Sequence, residues 1–208
     1  MVLPAIQMTR DLKSDIWTIW KILLTCKENY LFSKYLHKPD TDEELKYLSN
    51  SRHFKFFRHS LWRLCIIELH KLLSKSDKDF YNLWTFIKNL ETNHYAGHNV
   101  PEDTIREWRT LLLSRKVTTK KIMLLRNKVY AHTDRENESL NIDITFEEVY
   151  ELIILAEKVI RGIYINSFES DILTETPIFE RGRFDIIKIL AKEKEDRINA
   201  IRNWGKSS

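Results

Sequence analysis

The stretch KIMLLRNKVYAHTD, residues 121–134, decides how the rest of the chain is read. Ile122, Leu125 and Val129 recur at i, i+3 and i+7, one apolar stripe of an α-helix turned toward a core. Neither Gly nor Pro interrupts it. Against this apolar background stand Arg126, Asn127 and His132. Arginine brings a permanent charge and a planar fork of donors matched to a phosphate. Histidine titrates near neutrality and moves protons. Asparagine positions a third group. Arg126 and His132 are six positions apart, which on one α-helix means about 120° of rotation and a rise of about 9 Å. They are therefore not i, i+4 neighbours. The helix ends near His132 and the ring swings back, or another element or chain completes the site. The polar run Thr133-Asp134-Arg135-Glu136-Asn137 favours a helix end there.

The segment Arg126-Asn127-Lys128-Val129-Tyr130-Ala131-His132 resembles the Arg-polar-x-x-x-x-His signature of HEPN domains, and RNKVYAHTD is similar to their abortive-infection, AbiU-like branch. The looser pattern, an Arg and a His with four to six residues between them, is weak, because Arg52…His59 and Arg63…His70 also match it. Arg63…His70 lies in an apolar run and reads as packing. Arg126 is distinguished by the Asn after it, the small Ala131 before the histidine and the Thr-Asp that follows. The resemblance implies an all-α, dimeric bundle. It also implies a metal-independent ribonuclease that acts as a toxin or phage-defence effector. In that chemistry Arg126 holds the scissile phosphate, His132 exchanges a proton, and Asn127 orients substrate or His132. Lys128, Tyr130 and Glu68 are candidate supporting residues. Members that regulate through a Tyr two residues after the histidine differ from this chain, which has Asp134 there and Tyr130 inside the motif. A catalytically silent HEPN module that grips RNA, a nucleotide or a protein would carry the same residues. A helical interaction protein with a coincidental motif is the third reading.

Bulk composition agrees with a helical reading. Four Gly and four Pro in 208 residues disfavour a turn-rich β fold. The net charge of +4 permits an acidic partner such as RNA without demanding one. Cys26 and Cys65 each sit in an apolar helical pattern, which suits buried free thiols and a reducing cytoplasm. Arg10, Asp11, Lys13 and Asp15 break any signal-peptide core, and no apolar run has the length of a membrane span.

The expected architecture is one all-α, HEPN-like helical bundle over 1–208, with about six or seven helices. Helix 9–37 carries Ile16, Trp17, Trp20, Leu23 and Leu24. Pro39-Asp40-Thr41-Asp42 turns the chain into a helix over 42–73, interrupted near Asn50-Ser51. Glu68 lies there among Cys65, Ile66, Ile67 and Leu69, where a carboxylate needs a cation. Arg63, Lys71 and Arg126 are the candidates. A helix over 79–90, capped by Ser76 or Asp77, carries Phe80, Leu83, Trp84, Ile87 and Leu90 on one stripe.

The loop 91–101 holds His94 and His98, but Gly97 lies between them and no third ligand is evident, so neither a metal nor another cofactor is expected. Helix 102–114 leads through Lys116-Val117-Thr118-Thr119-Lys120-Lys121, a basic link that is either a solvated connection or the wall of an RNA groove. After an extended piece at 139–144, Thr145 is a good N-cap for a long helix to about residue 165, with Val149, Leu152, Ile153, Ala156, Val159, Ile160 and Ile163 on its buried face. A charged helix from about residue 184 ends the chain. RNA, a second copy of the chain and an antitoxin are the expected partners.

Overall fold

A computed structural model describes residues 11–76, 79–95, 97–130, 142–172 and 184–204, with the side chains of 128–130 excepted. Among them the chain is all-helical: α1 Leu12–His37, α2 Asp42–Ser49, α3 Arg52–Leu73, α4 Leu83–Glu91, α5 Glu102–Ser114, α6 Lys116–Leu124, a π-helical turn Leu125–Tyr130, α7 Phe146–Phe168 and α8 Asp185–Trp204. The interruption at Asn50-Ser51 separates α2 from α3 and accounts for the additional helix; the basic link is helical too and runs into the first turn of the motif as α6. No described helix is long and apolar enough to cross a membrane. The extended piece lies partly outside the described residues; its end, 142–144, carries no regular structure.

The chain divides into two compact units, with boundaries inside α1 and α3. The larger unit contains residues 12–27 and 65–172 of the described chain, including α4 to α7. Its centre is α7. Val149, Leu152, Ile153, Ala156, Val159, Ile160 and Ile163 form its apolar stripe, and none is more than 1% exposed. That is the stripe expected from sequence, repeating every three or four residues. The helix starts where a capping box closes it. Thr145 Oγ1 accepts from Glu148 N–H at 3.1 Å, and Glu148 Oε2 accepts from Thr145 N–H at 3.0 Å.

Helices α4, α5 and α6 all pack on α7. The approach of α5 requires a residue without a side chain. A Cβ on Gly162 would sit 2.7 Å from the Trp108 indole Nε1 and 3.2 Å from Cε2. Trp108 is itself buried, 4% exposed. On α1, Lys27 reaches Glu157 of α7 at 2.9 Å, with both side chains under one-fifth exposed. The buried stripe of α1 in this unit is Leu12, Ile16, Ile19, Leu23 and Cys26. Trp17, expected on that stripe, is instead half-exposed and stacks on Trp20 at 4.5 Å. Cys26 and Cys65 are fully buried free thiols with sulfurs 3.8 Å apart. The hydrogen bond between them and their burial push the Cys26 thiol up, so it stays protonated at neutral pH.

Helix α4 begins later than the sequence suggests. Asn82 caps it, its Oδ1 accepting from Thr85 N–H at 2.8 Å. Its Nδ2 donates to the Ser76 carbonyl at 3.1 Å. Asn is among the best N-caps, and here it is fully buried, so it outcompetes the upstream serine; Asp77 lies outside the described residues. Phe80 is consequently left outside the helix at 60% exposure, and Phe86 takes the buried position.

The smaller unit contains residues 28–64 and α8. Thr41 caps α2, accepting from Glu44 N–H at 3.2 Å. Tyr35, Leu36, Leu48 and Ile187 form its core. Phe184 stacks on Tyr35 with ring centroids 3.7 Å apart. Burial and the Glu44 carboxylate beside it drive the Tyr35 hydroxyl well above the usual phenol range.

Two outcomes follow from this packing. Gly162→Ala gains about 1 kcal/mol of helix propensity but overpacks Trp108, a cost of about 1–3 kcal/mol. The net effect is a lower urea midpoint with an unchanged m-value; a midpoint above wild type would show that α5 yields freely. Cys26 and Cys65 react with an aromatic disulfide reagent only on unfolding, so labelling tracks the unfolding rate; fast labelling of the folded chain contradicts their burial.

Candidate functional site

The motif stands at the end of α6, and α6 is fixed from two sides. Ile122 is fully buried and Leu125 is 6% exposed, which anchors one face in the core of the larger unit. On the other side, Lys121 Nζ meets Glu148 Oε1 at 2.6 Å and Arg115 Nη1 meets Glu151 Oε2 at 3.0 Å, both carboxylates belonging to α7. Glu148 therefore does two things. It closes the capping box of α7 and ties that helix to α6. The Lys121 ammonium, then the Thr145 backbone N–H, hold its carboxyl below the usual glutamate range. His132 lies in sequence between these two anchors and outside the described residues.

From Leu125 the backbone widens into the π-turn. A regular α-helix through the motif was the expectation from sequence. Asn127 and the β-branched Val129 are weak α-helix formers, which lowers the resistance to widening. Such turns are rare and recur at functional sites. The α-helical rotation per residue does not apply over Leu125–Tyr130.

Arg126 is half-buried, and its Nη1 donates to Asn127 Oδ1 at 2.9 Å. This bond uses one of the five guanidinium N–H donors and leaves a charged fork for a ligand. Asn127, exposed, thus orients Arg126 itself. Lys128 and Tyr130 fall on the π-turn, their side chains outside the described residues. Glu68, 13% exposed, pairs with Lys71 Nζ at 2.6 Å. Of the cations considered from sequence, the local lysine one turn along satisfies it.

A histidine read from sequence as packing also belongs to this neighbourhood. His70 of α3 is half-buried, and burial, then the Arg126 charge, lower its pKa, while Asp79 acts in the opposite sense. The result is a neutral imidazole at pH 7 within the field of the motif arginine. Nothing in the spacing of Arg63…His70 pointed to this, since the relation is tertiary. Arg52 and His59, the other pattern match, are both exposed in the smaller unit. The loop histidines have other occupations. His94 Nδ1 lies 2.6 Å from Thr92 Oγ1, and His98 packs edge-on against Phe168 at 5.4 Å. Among the described residues no group of three or more His, Cys, Asp or Glu is placed to hold a metal ion.

No curated protein and no solved structure matches the chain. A model of the AbiU2 family of HEPN domains matches residues 6–170. That span takes in α1 to α7, the π-turn with Arg126 and Asn127, and the segment with His132, and stops before α8. It covers most of the chain, and the all-helical architecture agrees with it: the chain belongs to the AbiU2 family of HEPN domains.

Proposed function

We propose that the chain is a metal-independent endoribonuclease acting as a toxin or abortive-infection effector on cytoplasmic RNA. The observation that carries this is the Arg126 guanidinium, held by Asn127 on a π-turn just before His132 in a HEPN domain. A fork of donors fixed in advance stabilises charge that grows on a phosphate without having to reorganise. Arg126 binds the scissile phosphodiester. The ribose 2′-oxygen attacks phosphorus, forming the new O–P bond as the bond to the 5′-oxygen breaks. The 2′-hydroxyl proton passes to a base, and the departing 5′-oxygen takes a proton from an acid. His132 supplies one of these two transfers. The products are a 2′,3′-cyclic phosphate and a 5′-hydroxyl. Two copies of the chain bring two motifs to one cleft, which supplies the second proton-transfer group, and closed two-fold symmetry is the commonest arrangement for such pairs. An antitoxin partner would restrain this activity.

His132→Ala and Arg126→Ala each abolish cleavage of single-stranded RNA in EDTA while the circular dichroism spectrum and urea midpoint stay at wild type. General acid–base help is worth about 10²–10⁴ in rate, and an electrostatic donor about 10²–10³. Arg126→Lys also fails, since it keeps the charge and loses the planar fork. Asn127→Ala retains partial activity. His59→Ala cleaves as wild type. If His132→Ala cleaves at the wild-type rate, the motif is not the catalytic centre. RNA binding that depends on Arg126, without cleavage by the wild type, identifies a binding module instead.

The anchor of the site is tested separately by pH. Glu148 has a lowered pKa in the fold, so its contribution is complete above the ordinary value of 4.5 and is lost as pH falls below it. Glu148→Gln keeps the capping geometry but removes the ion pair. Its stability falls by up to about 1 kcal/mol at pH 7 and loses this part of the acid dependence. An unchanged acid profile would show that Lys121 and Glu148 do not fix α6.

A further inference from the structure

The larger unit contains a cleft that the motif does not account for. It lies where the end of α3, α4, α5 and α6 meet, and its volume is about 260 Å³. Leu73, Trp84, Leu112, Leu113 and Met123 give it an apolar lining. Lys75, Lys116 and Lys120 complete it, with Thr119 beside them and no acidic residue in the lining. Lys116, Lys120 and Met123 stand at i, i+4 and i+7, one face of α6. That face leads directly to the π-turn, since Met123 is three residues before Arg126.

The basic residues on this helix and at its N-cap divide into two sets. Arg115 and Lys121 are neutralised by Glu151 and Glu148 and hold α6 to α7. Lys116 and Lys120 are exposed, and no acidic side chain among the described residues lies within ion-pair distance of either. Lys75, also exposed, lies over the Trp84 ring, 3.8 Å from its centroid. Three ammonium groups, none with an ion-pair partner among the described residues, stand around an indole wall and suit a flat aromatic ring carried on a phosphate. The volume is below the roughly 300–1,000 Å³ of pockets for drug-sized ligands, and it admits a single base rather than a duplex.

We propose that this cleft binds one nucleotide of single-stranded RNA next to the scissile phosphate. The base stacks on Trp84, between the side chains of Met123 and Leu113. Lys116 and Lys120 hold the flanking phosphates, and Lys75 moves from the ring to the incoming phosphate. Base–aromatic stacking exceeds an exposed cation–π contact, so the exchange is favourable. The selectivity is for single strands, because a paired base cannot present its face to an indole. This rests on the endoribonuclease reading for the role of the bound strand, but not for the binding itself.

The test uses the full chain and a fluorescent, fully 2′-O-methylated single-stranded RNA, which has no 2′-hydroxyl to attack and therefore reports binding alone. Lys116→Ala/Lys120→Ala, two surface changes, weakens binding about ten-fold near 0.1 M salt. It also lowers the slope of log affinity against log salt by about 1.4, two phosphates at about 0.7 each for single strands. Trp84→Leu weakens binding without changing the slope, and Trp84→Phe restores it. A duplex of the same sequence binds less tightly and is insensitive to Trp84. If these variants bind like wild type, with the same salt slope, the proposal is overturned, and His132-dependent cleavage of unmodified RNA still leaves the nuclease reading standing. If the variants lose binding but the wild type cleaves no RNA, the cleft stands and the nuclease reading falls. A wild type that does not bind the strand overturns the cleft outright.

Discussion

The larger unit depends on the burial of one helix stripe. Seven apolar side chains of α7, from Val149 to Ile163, are almost wholly removed from water. Fully burying a valine, leucine or isoleucine side chain favours the fold by about 1.5–3 kcal/mol, so this one face is a large part of what holds the unit together. Helices α4, α5 and α6 are held where they are because they cover it. Gly162 shows how closely they must come: the Trp108 ring occupies the volume a side chain would need.

The position of the motif follows from that packing. Ile122 and Leu125 take α6 into the same core, and Glu148 adds a polar tie at the first turn of α7. The tie is informative because Glu148 is already committed to the capping box. One carboxylate thus fixes both the start of α7 and the approach of α6, the two elements on either side of His132 in sequence. Helix α6 then gives way to the π-turn, where Arg126 and Asn127 bond to one another. Helix α6, packed on α7, thus ends in a widened turn that carries the Arg126 guanidinium.

Much of this was legible in the sequence because it is local. The N-cap at Thr145, the stripe of α7, the break at Asn50-Ser51 and the turn before α2 all depend on neighbouring residues, and the family resemblance carried by RNKVYAHTD agrees with the match over residues 6–170. What escaped is tertiary or competitive. Asn82 took the start of α4 from Ser76 because its side chain is buried and bonded on both sides. Trp17 looked like core by spacing, yet the buried stripe of α1 runs one residue position over, through Ile16 and Ile19. The π-turn has no simple pattern in residue types. The neighbourhood of His70 and Arg126 joins residues 56 positions apart, and no spacing rule reaches that far. The basic run before the motif was visible, but which of its lysines are neutralised was decided by α7.

The central claim is that Arg126 and His132 direct a ribose 2′-oxygen onto phosphorus without help from a metal. The most direct measurement is the chemistry of the ends left on a defined single-stranded RNA after incubation with purified protein in EDTA. The account predicts a 2′,3′-cyclic phosphate on one fragment and a 5′-hydroxyl on the other, resolved by mass spectrometry. Fragments carrying a 3′-hydroxyl and a 5′-phosphate would contradict it, because water rather than the ribose would then have been the nucleophile.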